Sequence, residues 1–216
     1  AFGRAFKTPD LRRKILFTLF IIAVYRLGAH VPTPGVSYPL VQQCINGADN
    51  SNGLLGLVNL FSGGALLQLS IFALGIMPYI TASIIIQLLT VVIPRLEALR
   101  REGQAGQAQL TQYTRYLTVG LAILQSTGIV ALARVPGRLF QGCDAQIVPD
   151  QSILLIVQMI FVMTAGTAVI MWLGELITDR GVGNGMSLLI FTSIIATFPG
   201  QLWQISVTSG PFTMLL

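Results

Sequence analysis

The sequence predicts an all-α integral membrane protein, a polytopic bundle of about five transmembrane helices. Composition is the first reason. Of 216 residues, 53% are hydrophobic and 10% charged, with mean hydropathy +0.74. A soluble domain carries roughly a quarter charged residues, so a soluble globule, a disordered chain and a nucleic-acid-binding domain are all excluded. The second reason is the presence of long uncharged apolar runs. The third is how the basic residues are distributed between them.

A bilayer core about 30 Å thick needs roughly 20 apolar residues in a helix. Runs at residues 15–31, 65–93, 116–133 and 152–174 approach or exceed that length, and the last holds no charge at all. A fifth run, 186–199, is short and is expected to extend or to pack against its neighbours. The amino-terminal tail, the second connection and the fourth hold ten basic residues, including Arg12, Arg13, Lys14, Arg95, Arg100, Arg101, Arg115 and Arg180. The first and third connections hold three: Arg26, Arg134 and Arg138. Cytoplasmic loops carry the Lys and Arg excess. A cytoplasmic amino terminus is therefore expected, and the formal charge of +5 reads as a topology signal. With an apolar run still open at Leu216, the chain is expected to be a fragment of a longer membrane protein.

The polar residues exclude several chemistries. No carboxylate lies in the middle of a run, as ion-coupled transport usually requires. There is no His-Glu-x-x-His and no P-loop. No catalytic residue, metal site or cofactor is expected, and the lone His30 reads as a bystander. Gly181-Val182-Gly183-Asn184-Gly185 follows a membrane run and reads as a glycine turn that starts the next helix. Glu175, Asp179 and Arg180 read as solvated interface charges. Cys44 and Cys143 both fall in outer connections, where an oxidising compartment would permit a disulfide between them; their spacing says nothing about proximity, and two unpaired cysteines are the favoured reading.

The second run carries the most information. It is too long for one simple helix, and Pro78 interrupts it, so a kink is expected there. Before it come a short apolar piece, Leu54 to Phe61, and then Ser62-Gly63-Gly64. A short apolar helix, a glycine hinge and a bent helix form the pattern of a re-entrant element, which membranes tolerate only inside protein or beside a wet cavity. At 100° per residue, Ile76, Ile80, Ser83, Gln87 and Thr90 fall in one sector about 80° wide. That face fits either an ordinary helix contact or a pore with an apolar constriction and a wetted vestibule. Met186 and Ile190 share a face of the fifth run. Small residues four apart, such as Ala122 and Ser126 or Thr164 and Ala168, predict close packing of the third and fourth runs.

Several stretches resemble the bacterial SecY family of protein-translocase channel subunits. They are Asn59-Leu60-Phe61-Ser62-Gly63-Gly64-Ala65, Ile71 through Leu89, Gln112-Tyr113-Thr114-Arg115-Tyr116, Trp172-Leu173-Gly174-Glu175, and Asp179 through Ser187. The resemblance covers about Thr8 to Pro199. It implies ten helices in two inverted halves around an hourglass pore, with this chain as the first half. It maps the apolar pore ring onto Ile76, Ile80, Met186 and Ile190. The plug helix falls on about 55–67, with Phe61, Ser62, Gly63 and Gly64 in it, and the polar lining of the lateral gate falls near Ser83, Gln87 and Thr90. It also implies a multi-pass place in the bacterial plasma membrane and a set of partners. These are SecE and SecG, the SecA motor or the ribosome, and signal sequences or nascent polypeptides. An inverted-repeat small-solute transporter, an intramembrane enzyme and a structural subunit are the competing functions. The first two lack the mid-membrane charges they would need, and the third leaves the re-entrant segment unexplained.

Overall fold

The computed structural model describes residues 9–47, 61–135, 147–150 and 152–209. Among them are seven helices: α1 (Pro9–Ala29), α2 (Tyr38–Gly47), α3 (Met77–Val92), α4 (Pro94–Arg101), α5 (Gln104–Arg134), α6 (Ile153–Arg180) and α7 (Gly185–Ser209). The described residues contain one isolated antiparallel bridge, between Pro32 and Ser70.

By length and composition, α5 and α6 can each cross a bilayer. With 31 and 28 residues, they are about 46 and 42 Å long at 1.5 Å per residue. The pair α3 and α4 qualifies only when taken together, and it is bent by 100°. The bend has a local cause. Proline restricts the residue before it to extended backbone. Ile93 accordingly takes φ −99° and ψ 113°, and Pro94 opens the next helix. α1 and the apolar part of α7, Gly185–Phe198, fall short of full spans. In α1, Lys14 and Arg26 bracket the apolar stretch. Among the described residues, two helices thus qualify as single continuous spans, with the bent pair a third.

The second run departs from expectation at its start. Residues 62–76 are a chain of turns, and the helix begins only at Met77. Pro78 lies in the first turn of α3 and does not kink a longer helix. The first turn is where proline's missing N–H costs nothing, because those donors have no helical partner. Gly63, Gly64 and Gly75 take φ of +67°, +88° and +57°, a left-handed backbone that glycine adopts without strain. The turn run is buried in protein. Thr33 N donates to Leu69 O and Ile71 N donates to Val31 O, both at 2.9 Å. Gly28 of α1 and Gly166 of α6 close on it from two sides. A Cβ on Gly28 would stand 2.1 Å from the Phe72 ring, and one on Gly166 2.1 Å from Ile71 O.

Two apolar clusters flank this segment. One joins Leu66, Leu69 and Leu74 to Met159 and Met163 of α6 and Val130 of α5. The other joins Phe72 and Ile76 to Ile21 and Tyr25 of α1, Ile170 and Ile177 of α6 and Leu189 of α7. The Tyr25 and Phe72 rings stack with centroids 5.9 Å apart. α5 and α6 meet along their small residues, where the Ser126 and Thr164 hydroxyls are 3.4 Å apart.

Cys44, in α2, is buried and disulfide-bonded, contrary to the unpaired state expected. Cys143, the other cysteine of the sequence, lies outside the described residues.

Candidate functional site

The site forms where the start of α3, the start of α7 and the end of α6 converge. The α6–α7 connection sets this geometry. Thr178 Oγ1 accepts from Gly185 N at 2.9 Å. Asn184 Oδ1 accepts from Met186 N at 3.1 Å and from Ser187 N at 3.4 Å, capping α7. The glycine-rich stretch is therefore a helix-starting turn. Close approach requires glycine on both sides: a Cβ on Gly185 of this turn would lie 1.9 Å from Gly174 O of α6, and one on Gly174 2.4 Å from Met186 Sδ. This contact draws Met186 onto α6 and points the start of α7 toward α3.

Ile76, Ile80, Met186 and Ile190 all belong to the same apolar cluster. Ile76 is fully buried at 1% exposure, whereas the other three line a cavity of about 480 Å³. Ser83 lines the same cavity. Gln87 is exposed one turn further along, with Nε2 3.4 Å from Ser83 Oγ. Thr90 departs from this face. It is buried, and its hydroxyl donates to Gln87 O at 2.6 Å. It continues the buried row Pro78, Ala82, Ile86. A row of every fourth residue precesses by about 40° per step around a helix, which carries Thr90 from the sector's edge onto the packed side.

The segment expected to plug the site is described from Phe61 onward; residues 55–60 lie outside the described residues. Ser62 is fully buried, and its Oγ accepts from Leu66 N at 3.1 Å. A Cβ on Gly75 would meet Ser62 Cα at 3.2 Å. A Cβ on Gly63 would meet Arg26 Nη1 at 3.0 Å and Ser193 Cα at 3.4 Å. The Ser62-Gly63 turn thus rests beside the residue preceding Ile76 and one helical turn beyond Ile190. Gly64 has open space around it.

Sequence reasoning missed two polar features. Arg115 Nε and Nη2 donate to Glu175 Oε1 and Oε2 at 2.9 and 2.8 Å, a two-pronged ion pair that ties α5 to α6. The Glu175 side chain is only 20% exposed, so it is not a freely solvated interface charge. Both residues line the cavity, together with Tyr79, Thr178 and Asp179. The second feature is Arg26, which lies in the last turn of α1 and not in a loop. Its Nη1 donates to Gly63 O at 3.2 Å. Opposite charges assigned to one side of the membrane, each at the end of an apolar run, are the signal that could have paired Arg115 with Glu175. His30 is exposed, with Nδ1 2.8 Å from Arg26 O.

The geometry thus brings four apolar side chains together beside a cavity that Arg115 and Glu175 also line, with the Ser62-Gly63 turn packed against Gly75 and Ser193. Residues 70–216 match the SecY family. The chain belongs to that family. It is 71% identical over 207 residues to the protein translocase subunit SecY of Streptomyces coelicolor, covering 95% of this chain and 47% of that protein. It is 62% identical over 203 residues to the subunit of the same name from Mycobacterium tuberculosis, covering 93% of this chain and 46% of that one. The chain therefore spans about half the length of the curated relatives it matches. Among solved structures, Sec61 in a canine ribosome–channel complex from the endoplasmic reticulum aligns with a TM-score of 0.55 over 92% of this chain and 38% of that one, at 16% identity. A structure described as a protein-conducting channel aligns equally well. At that identity the likeness shows the fold alone.

Proposed function

We propose that this SecY-family chain forms the amino-terminal half of a protein-conducting channel in the bacterial plasma membrane. The channel passes unfolded secretory polypeptides across the bilayer and releases membrane helices sideways through a lateral gate. The observation that carries the reading is the convergence of Ile76, Ile80, Met186 and Ile190 in one cluster, with the Ser62-Gly63 turn packed against Gly75 and Ser193. An apolar ring of this kind blocks ions by dewetting, and its flexible methionine can conform to varied side chains. Ser83 and Gln87 form the polar side of the gate, with Thr90 buried behind them. A signal sequence entering lipid there gains roughly 25 cal/mol per Å² of apolar area buried.

The conduit is passive and uses no cofactor. SecE and SecG are its small membrane partners, and the SecA motor or the translating ribosome drives or delivers the substrate. The amino terminus is cytoplasmic. In support, the middle of α1 approaches the turn after α6 at Thr18. Thr18 Oγ1 would lie 2.7 Å from a Cβ on Gly181.

Replacing Ile76 and Ile80 with serine in the full-length, reconstituted channel tests this. Raised ion conductance and acceptance of defective signal sequences are expected. Parental conductance together with parental signal stringency would refute the ring assignment.

A further inference from the structure

We infer that Arg26 is a positioning residue that holds the Ser62-Gly63 turn in its closed seat. The inference rests on the channel reading above and adds a residue to it. Arg26 is half-buried at the end of α1 and makes no ion pair among the described residues. Its described partner is the carbonyl of Gly63, 3.2 Å from Nη1. The two sit so close that a Cβ on Gly63 would stand 3.0 Å from that nitrogen. Gly63 itself has φ +67°, so the turn reaches the guanidinium through a conformation that suits glycine.

The other wall of the seat is α7. Tyr25, the neighbour of Arg26, hydrogen-bonds Ser193 Oγ at 2.8 Å, and Ser193 Cα and Cβ stand 3.4 and 3.5 Å from the same virtual Cβ on Gly63. The seat is therefore a two-helix clamp: α1 contributes the charged donor, α7 contributes the small surface, and the Tyr25–Ser193 bond fixes their spacing. The Tyr25–Phe72 stack links the clamp to the same turn run downstream.

A guanidinium in a half-buried position must keep an acceptor, because a charge left without one in a dry site is costly. While the passage is closed and dry, Gly63 O serves that need. When a polypeptide displaces the turn, water enters and can replace the carbonyl. The bond thus favours the closed seat when the passage is empty and is relieved when it is occupied. Its loss should raise the open fraction of the empty channel on the order of tenfold, the scale of one charge-assisted hydrogen bond.

The test uses the full-length channel reconstituted with its membrane partners. A single Ser62→Cys reporter is added, since Ser62 is fully buried in the closed seat. Labelling of that cysteine by a membrane-impermeant maleimide and ion conductance are both read, with the parent lacking the reporter as the blank. R26M is expected to raise labelling and conductance about tenfold, and R26K, which keeps a donor of similar reach, is expected to restore both. R26Q is too short to reach Gly63 and polar enough for the helix end; it is expected to behave as R26M and serves if R26M does not assemble. An Ile80→Ser channel is measured alongside. If Ile80→Ser leaks while R26M and R26Q label and conduct as the parent, Arg26 does not seat the turn and the inference is overturned, with the channel reading intact. If Ile80→Ser also stays tight, the channel reading falls and takes the inference with it. Opening in R26K equal to that in R26M would likewise overturn it, since only side-chain volume would then matter.

Discussion

Cross-linking residue 63 to residue 193 should lock the passage. A Cβ built on Gly63 lies 3.5 Å from Ser193 Cβ, at the short end of the ~3.5–4.5 Å spacing of disulfides. The Gly63→Cys substitution places an L-residue at φ +67°, at a cost of about 1–2 kcal/mol. The new Cβ would also press on Arg26 Nη1 at 3.0 Å, the far end of a flexible side chain that can shift by a few tenths of an ångström. Neither cost is large enough to prevent oxidation once the thiols are adjacent. With Ser193→Cys added, oxidant should form the bond, and import of a signal-bearing precursor into proteoliposomes should fall to background. Reductant should restore it. The parent, with the same treatment, controls for the disulfide already present at Cys44. A quantitative cross-link with parental import would refute the reasoning, because the turn would then have no need to leave its seat.

Two further outcomes concern the scaffold around the site. Arg115→Met removes both hydrogen bonds to Glu175 and leaves that carboxylate at 20% exposure. Because Arg115 itself is 43% exposed, the loss should be about 1–2 kcal/mol, between a surface pair and a buried one. A lower melting temperature is expected, partly restored in R115M/E175M, and purely additive losses in that double-mutant cycle would count against a specific pair. Gly166→Ala puts a methyl 2.1 Å from the backbone of Ile71 and should cost roughly 1–3 kcal/mol by overpacking. An unchanged melting temperature would mean that α6 does not hold the turn run.

Much of this architecture could be read from residue patterns, because the hydrophobic effect writes membrane helices as uncharged runs. α5 and α6 fall within about a dozen residues of the runs that announced them, extended at their polar ends where composition alone sees no helix. Ile76 and Ile80 were placed on one side of a helix by a spacing rule, and their meeting with Met186 and Ile190 came from the family resemblance. The errors have specific causes. Pro78 looked like an interruption because residues 65–76 are as apolar as a helix. Gly63 and Gly64 before them, Gly75 within them and a Leu69 at φ +46° turn them into a folded strap that hydropathy cannot distinguish from a span. Thr90 sat at the edge of its sector, where a few degrees decide its face. Glu175 looked like a solvated charge, and Arg26 was only counted in a connection, because their partners, Arg115 and Gly63 O, are distant in sequence and meet only through packing. Cys44 could not be assigned, since spacing carries no information on where two loops meet.

Contact between the ring and a moving chain is the most direct measure of the central claim. A photoreactive residue would be placed singly at positions 80, 186 and 190, and at position 161, where Phe161 is 72% exposed. A precursor would then be stalled midway through the full-length channel. Adducts to the precursor at 80, 186 and 190, with lipid adducts at 161, are the expected result. Lipid adducts at 80, 186 and 190, or no adducts to the stalled chain there, would contradict the account.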